Sequence, residues 1–208
     1  GPVAEDGGFF YDSESDIGIF FDGGATSQKA DVYSYDYNTD TIEQMDDLPF
    51  NYLSYVSAFY YDSESDVGLV FEKTTNCSNG HCEIWSYDFN SDTWTKVSSS
   101  LPSDYSVPIA VTYDSINDRG IFLFSQHSGD GEVLAYDYNN NEWEDLGTQN
   151  FLGHSSHDTR LDAYYFNSND GTSVYVEGYV GNSDNSYDVY TFDYLTENWT
   201  QLANKNVN

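Results

Sequence analysis

Short apolar runs recur along the chain, and each stops at a cluster of Asp, Asn, Ser and Gly. The run Phe9-Phe10-Tyr11 halts at Asp12-Ser13-Glu14-Ser15-Asp16 and resumes as Ile17-Gly18-Ile19-Phe20-Phe21. Aromatic and β-branched residues in stretches this short favour strands, while the side-chain oxygens between them bond the local backbone in turns. No segment carries a helical stripe of useful length, so the pattern predicts an all-β chain.

The pattern also repeats itself. Phe9 to Phe21 returns as Phe59-Tyr60-Tyr61-Asp62-Ser63-Glu64-Ser65-Asp66-Val67-Gly68-Leu69-Val70-Phe71, a third time from Val111-Thr112-Tyr113-Asp114 to Phe124, and in worn form from Tyr164 to Val176. Each copy is followed by a second block of fixed spacing. Tyr35-Asp36, Tyr87-Asp88, Tyr136-Asp137 and Phe192-Asp193 precede Ile42, Trp94, Trp143 and Trp199 by the same interval. Insertions fall between blocks and not within them. A repeat of about fifty residues with two hairpins supplies four short antiparallel strands, which is one propeller blade whose faces its neighbours cover. The expected fold is therefore an all-β propeller of four four-stranded antiparallel blades. The repeats run over residues 9–48, 58–100, 110–148 and 163–202 of a single domain spanning 1–208.

An apolar strand, a Gly pair, a Tyr-Asp and then a Trp resembles the kelch repeat, and this order is visible across nearly the whole chain. The Gly pair survives only as Gly23-Gly24; Glu72-Lys73, Ser125-Gln126 and Glu177-Gly178 stand in its place elsewhere. The resemblance implies kelch-like blades, although kelch propellers usually have more than four. A four-bladed ring, a part of a larger ring, and self-association of two chains to complete one all fit these residues.

Charge narrows the partners. The 208 residues include 36 acidic and 6 basic ones, a formal net charge of −30, yet 18% are aromatic. Acidic disordered chains are poor in aromatics, so the chain is expected to fold. Self-repulsion on this scale favours surroundings where salt or divalent cations screen it, such as a halophile's. It also argues against nucleic acid and anionic membrane as partners. No apolar run is long enough to insert in a membrane, and the opening Gly1-Pro2 reads as a cleavage scar.

Cys77 and Cys82 close one short loop and read as a local disulfide, which favours an oxidising compartment. Asn76-Cys77-Ser78 and Asn198-Trp199-Thr200 match the glycosylation pattern, consistent with an extracellular or cell-surface location. Asp12, Glu14 and Asp16, and equally Asp62, Glu64 and Asp66, place carboxylates at alternate positions before a Gly, as at the start of a calcium loop. The later bidentate carboxylate of an EF-hand is missing, and the same segments serve as hairpin turns, so calcium is a candidate cofactor and no other is indicated. His154 and His157 with Asp158 form the most distinctive segment outside the repeats, and could anchor a metal-dependent enzyme or metal site.

No nucleophile–base spacing and no phosphate-cradling Gly loop is present, which favours a non-catalytic reading. Aromatic residues beside Asn and Asp in the inter-repeat connections suit sugar stacking or a protein contact. The candidate ligand residues are Phe50, Tyr52, Tyr55, Tyr105, Phe151, His154 and His157. The expected function is an interaction module for a protein or carbohydrate at the cell surface; the alternatives are the histidine-centred metal site and a structural spacer.

Overall fold

The computed structural model describes residues 8–21, 31–50, 56–72, 83–100, 108–125, 131–149, 159–180, 185–196 and 198–206. Among these residues sixteen strands form four antiparallel sheets, each pairing its strands in chain order. Blade 1 is β1 (Gly8–Asp12), β2 (Ile17–Phe21), β3 (Val32–Asp36) and β4 (Thr41–Met45); blade 2 is β5 (Val56–Asp62), β6 (Val67–Glu72), β7 (Glu83–Asp88) and β8 (Thr93–Ser100). Blade 3 is β9 (Pro108–Asp114), β10 (Arg119–Ser125), β11 (Gly131–Asp137) and β12 (Glu142–Gln149); blade 4 is β13 (Thr159–Asn167), β14 (Thr172–Val180), β15 (Asn185–Asp193) and β16 (Asn198–Asn206). This is the expected all-β architecture of four four-stranded blades. The chain divides into two compact units, Gly1–Tyr105 with blades 1 and 2 and Ser106–Asn208 with blades 3 and 4.

The hairpin turns explain the Tyr-Asp-x-x-x-Asp spacing. The first Asp accepts the backbone N–H groups two and three residues on, at 2.9 and 3.0 Å for Asp12 and 3.1 and 3.0 Å for Asp62. The last residue takes a left-handed backbone, with φ between 50° and 61° at Asp16, Asp40, Asp66, Asp92, Asp118 and Asn141. Asn and Asp tolerate that conformation, and in the worn fourth repeat Gly171 adopts it with φ 69°. The tyrosine hydroxyl then reaches across the turn to donate to that last side chain, from Tyr61 to Asp66 at 2.6 Å, Tyr87 to Asp92 at 2.7 Å and Tyr113 to Asp118 at 2.7 Å. An Asn of the second hairpin donates to the same carboxylate, from Asn90 to Asp66 and from Asn139 to Asp118, both at 2.7 Å. One carboxylate therefore ties the two hairpins of a blade together.

Blades meet through alternating apolar faces. In the first unit Phe10, Ile19, Phe21 and Val32 of blade 1 pack against Val70 and Tyr87 of blade 2, flanked by Phe59, Tyr61 and Trp94. The fit leaves no room for a side chain at Gly68, where an added Cβ would lie 2.0 Å from the Phe10 ring. In the second unit Ile121, Leu123, Val133, Ala135 and Leu146 of blade 3 pack against Tyr175, Tyr190, Phe192 and Tyr194 of blade 4. The same strand positions thus make the seam in both units, with aromatic area supplying much of the buried surface.

Candidate functional site

Repeat positions that depart from their equivalents mark where the fold alone does not dictate the residue. The first residue after the hairpin turn is Ile17, Val67 and Thr172 in three repeats, and Arg119 in the other. In blade 1 that position packs on the apolar core. In blade 3 it places a guanidinium in the seam with blade 4, its side chain only 16% exposed.

Arg119 is held from several sides. Its Nη1 donates to Glu144 Oε2 at 2.7 Å, its Nε lies 3.6 Å from Asp114 Oδ2, and its guanidinium carbon sits 5.8 Å from the centre of the Tyr194 ring. Asp114 is fully buried and occupied by its own turn: it accepts the N–H groups of Ile116 and Asn117 at 3.0 and 3.2 Å and the Asn117 amide at 2.7 Å. Arg119 Nε is buried and has no hydrogen-bond partner among the described residues.

The blade 4 side of this seam has also become polar. Ser173 stands where the other repeats have Gly18, Gly68 and Gly120, and it is fully buried. It hydrogen-bonds the hydroxyl of Tyr194, which in turn lies 3.2 Å from the hydroxyl of Tyr164. Burial pushes the Tyr164 hydroxyl up to about 12, with the Asp114 charge adding to the rise and the Ser173 and Tyr194 hydrogen bonds opposing it. Burial raises Tyr194 above the usual phenol range as well, with the Tyr164 and Asp114 charges adding to the effect. Both hydroxyls therefore stay protonated at neutral pH.

Beside Arg119 opens a cleft of about 440 Å³ lined by Asn117, Arg119, Ala135, Asp137, Glu142, Trp143 and Glu144. Strand pairing sets Ala135 opposite Glu144 and Asp137 opposite Glu142, so the carboxylates line up along β11 and β12. The Trp143 ring is engaged elsewhere, 5.1 Å from Phe122 and 4.7 Å from Tyr136. Carboxylates accept hydrogen bonds and a guanidinium only donates. The cleft therefore complements groups that do both, such as adjacent hydroxyls, while its surplus of carboxylates repels anions. Its volume is that of a small-ligand site.

Among the described residues, those singled out in the sequence do not line this cleft. Phe50 is buried at 8% exposure, 6.2 Å from Trp85, and belongs to the core of the first unit. Tyr52, Tyr55, Tyr105, Phe151, His154, His157, Cys77 and Cys82 lie outside the described residues. Asp12, Asp16, Asp62 and Asp66 hold the turns together as described above, and Glu14 and Glu64 contribute backbone N–H groups to them. Hydrogen bonds from Tyr11 and then Asn38 hold Asp16 below the usual carboxylate range. Among the described residues no group of three or more His, Cys, Asp or Glu is arranged to hold a metal ion. Reading the repeat for its shared residues passes over Arg119; comparing equivalent positions across the four repeats exposes it.

No protein-family model matches the chain, and no curated protein does. Solved structures do. The chain is similar to the GH74 xyloglucanase from Xanthomonas campestris at 15% identity and a TM-score of 0.63, covering 97% of this chain and 31% of that one. It is similar to the SapL1 lectin, solved in complex with alpha methyl fucoside, at 14% identity and a TM-score of 0.59, covering 96% and 65%. TolB from Acinetobacter baumannii is similar at 16% identity and a TM-score of 0.57, covering 94% and 42%. The chain spans from under a third to about two thirds of the length of these proteins. At such identities the likeness defines the class by fold alone, a β-propeller, and its members here include a hydrolase and a lectin.

Proposed function

We propose that this chain is a non-catalytic recognition module that binds a neutral glycan through the Arg119 cleft of blade 3. The observation that carries the reading is Arg119 itself, a largely buried cation at a repeat position that is aliphatic in blades 1 and 2, opening onto a cleft rich in hydrogen-bond acceptors. A sugar presents vicinal hydroxyls that accept from the guanidinium and donate to Glu142 and Glu144, while Asp137 is engaged by Asn140 of its own turn at 2.9 and 2.6 Å. The lectin among the similar structures is in keeping with this reading. The repeats are kelch-like in the order of their Tyr-Asp and Trp, and the Cys77–Cys82 pair, the glycosylation patterns and the acidic surface favour a secreted or cell-surface setting.

Calorimetric titration with neutral and acidic mono- and disaccharides tests the reading. Saturable binding of a neutral sugar is expected, abolished by Arg119→Ile, which installs the residue that blade 1 already carries there. Binding undiminished in Arg119→Ile, or preference for the acidic sugar, would remove the assignment. Turnover of chromogenic glycosides that Glu142→Gln or Glu144→Gln abolishes would replace recognition with hydrolysis.

A further inference from the structure

The last strand of every blade carries an equivalent pair of residues two apart, and such residues share one face of a strand. The pairs are Thr41 and Glu43 on β4, Thr93 and Thr95 on β8, Glu142 and Glu144 on β12, and Asn198 and Thr200 on β16, and all of these residues are exposed. Strand pairing sets Thr41 and Glu43 opposite Asp36 and Ser34, and Glu142 and Glu144 opposite Asp137 and Ala135. Those sides of blades 1 and 3 also carry Ile19 and Ile121, which pack against the neighbouring blade of the same unit. The pairs stay exposed even beside a packed blade, so their exposure belongs to the strand's place in the blade.

Blade 4 fills the pair with Asn198 and Thr200, the two reading positions of the N-glycosylation pattern. Trp199 between them is turned to the other side and packs 5.0 Å from Phe192 in the core of its unit. Asn198 Nδ2 donates to the Thr196 carbonyl at 2.8 Å, which uses one of its two N–H bonds and fixes the amide at the hairpin end. We propose that Asn198 is a modification site that carries an N-linked oligosaccharide. Transfer joins the amide nitrogen to the anomeric carbon of a sugar borne on a lipid phosphate. The anomeric carbon–oxygen bond breaks, the lipid phosphate leaves with its electron pair, and a base of the transferase takes one amide proton. The N–H that remains keeps its bond to Thr196, and a glycan at this exposed strand position leaves the core undisturbed.

Incubating the folded chain with an oligosaccharyltransferase and a lipid-linked oligosaccharide tests this, with a short Asn-x-Thr peptide in the same reaction as the control acceptor. Peptide mass spectrometry is expected to find one glycan on Asn198. Asn198→Gln and Thr200→Val, at exposed positions and checked for an unchanged unfolding midpoint, are expected to lose it, while Thr200→Ser retains it. A chain left unmodified at Asn198 while the control peptide is glycosylated would overturn the proposal. So would modification that appears only once the chain is unfolded, or equal modification in Thr200→Val.

Discussion

Asp62 shows how a side chain can look like a ligand in sequence and act as a fastener in structure. Its carboxylate is 1% exposed and accepts two backbone N–H groups of its own turn. Asp62→Ala leaves those groups without that acceptor and is expected to cost about 1–3 kcal/mol, read as a lower denaturant midpoint at constant slope. Asp62→Asn, which keeps an acceptor oxygen, is expected to lose less. A second residue-scale prediction contrasts two glycines at equivalent positions. An added Cβ at Gly68 meets the buried Phe10 ring, and Gly68→Ala is expected to destabilise by about 1–3 kcal/mol. At Gly18 the nearest atom, at 2.9 Å, belongs to Phe9, which is 56% exposed and free to swing aside, so Gly18→Ala is expected to cost far less. The alternation of carboxylates was plain in the sequence; that the first Asp of each motif is buried was not, because burial depends on how the hairpin ends fold over the turn.

At the scale of the blade, the hairpins and their order were fully legible, since strand length, turn residues and spacing all repeat. The seams were legible only in part. Aromatic residues at alternating positions announced that the faces are covered, but the polar exchange between blades 3 and 4 arises from residues far apart in sequence. Arg119, Ser173, Tyr164 and Tyr194 each look ordinary alone and form a network only when the blades meet. That network predicts an alkaline limit. The Tyr164 hydroxyl titrates at about 12 when folded and about 10 when unfolded, so it contributes stability below about pH 10 that is lost as pH rises toward 12. Thermal unfolding midpoints are expected to fall across that window, and Tyr164→Phe is expected to shallow the fall. A parallel slope in the variant would place the sensitivity elsewhere.

For the whole molecule, charge is the property that composition discloses most strongly. A net charge of −30 destabilises the compact state through self-repulsion, and molar monovalent salt is expected to raise the unfolding midpoint. Calcium at constant ionic strength is expected to add nothing further, because the Asp12 and Asp62 carboxylates already accept their turn N–H groups and Asp16 and Asp66 bind tyrosine and asparagine side chains. A midpoint that rises at sub-millimolar calcium would make those turns ligand sites after all, by binding linkage. Function was the least legible level: a repeat announces a scaffold through what its copies share, whereas the cleft depends on what one copy does not share.

On the proposed reading, the arginine in the blade 3 seam makes a glycan site. Probing a glycan array with the parent chain and Arg119→Ile side by side tests it most directly. The parent is expected to retain a discrete set of neutral glycans and the variant, equally folded, none; matching profiles for the two, or no glycan bound by the parent, would rule out the site.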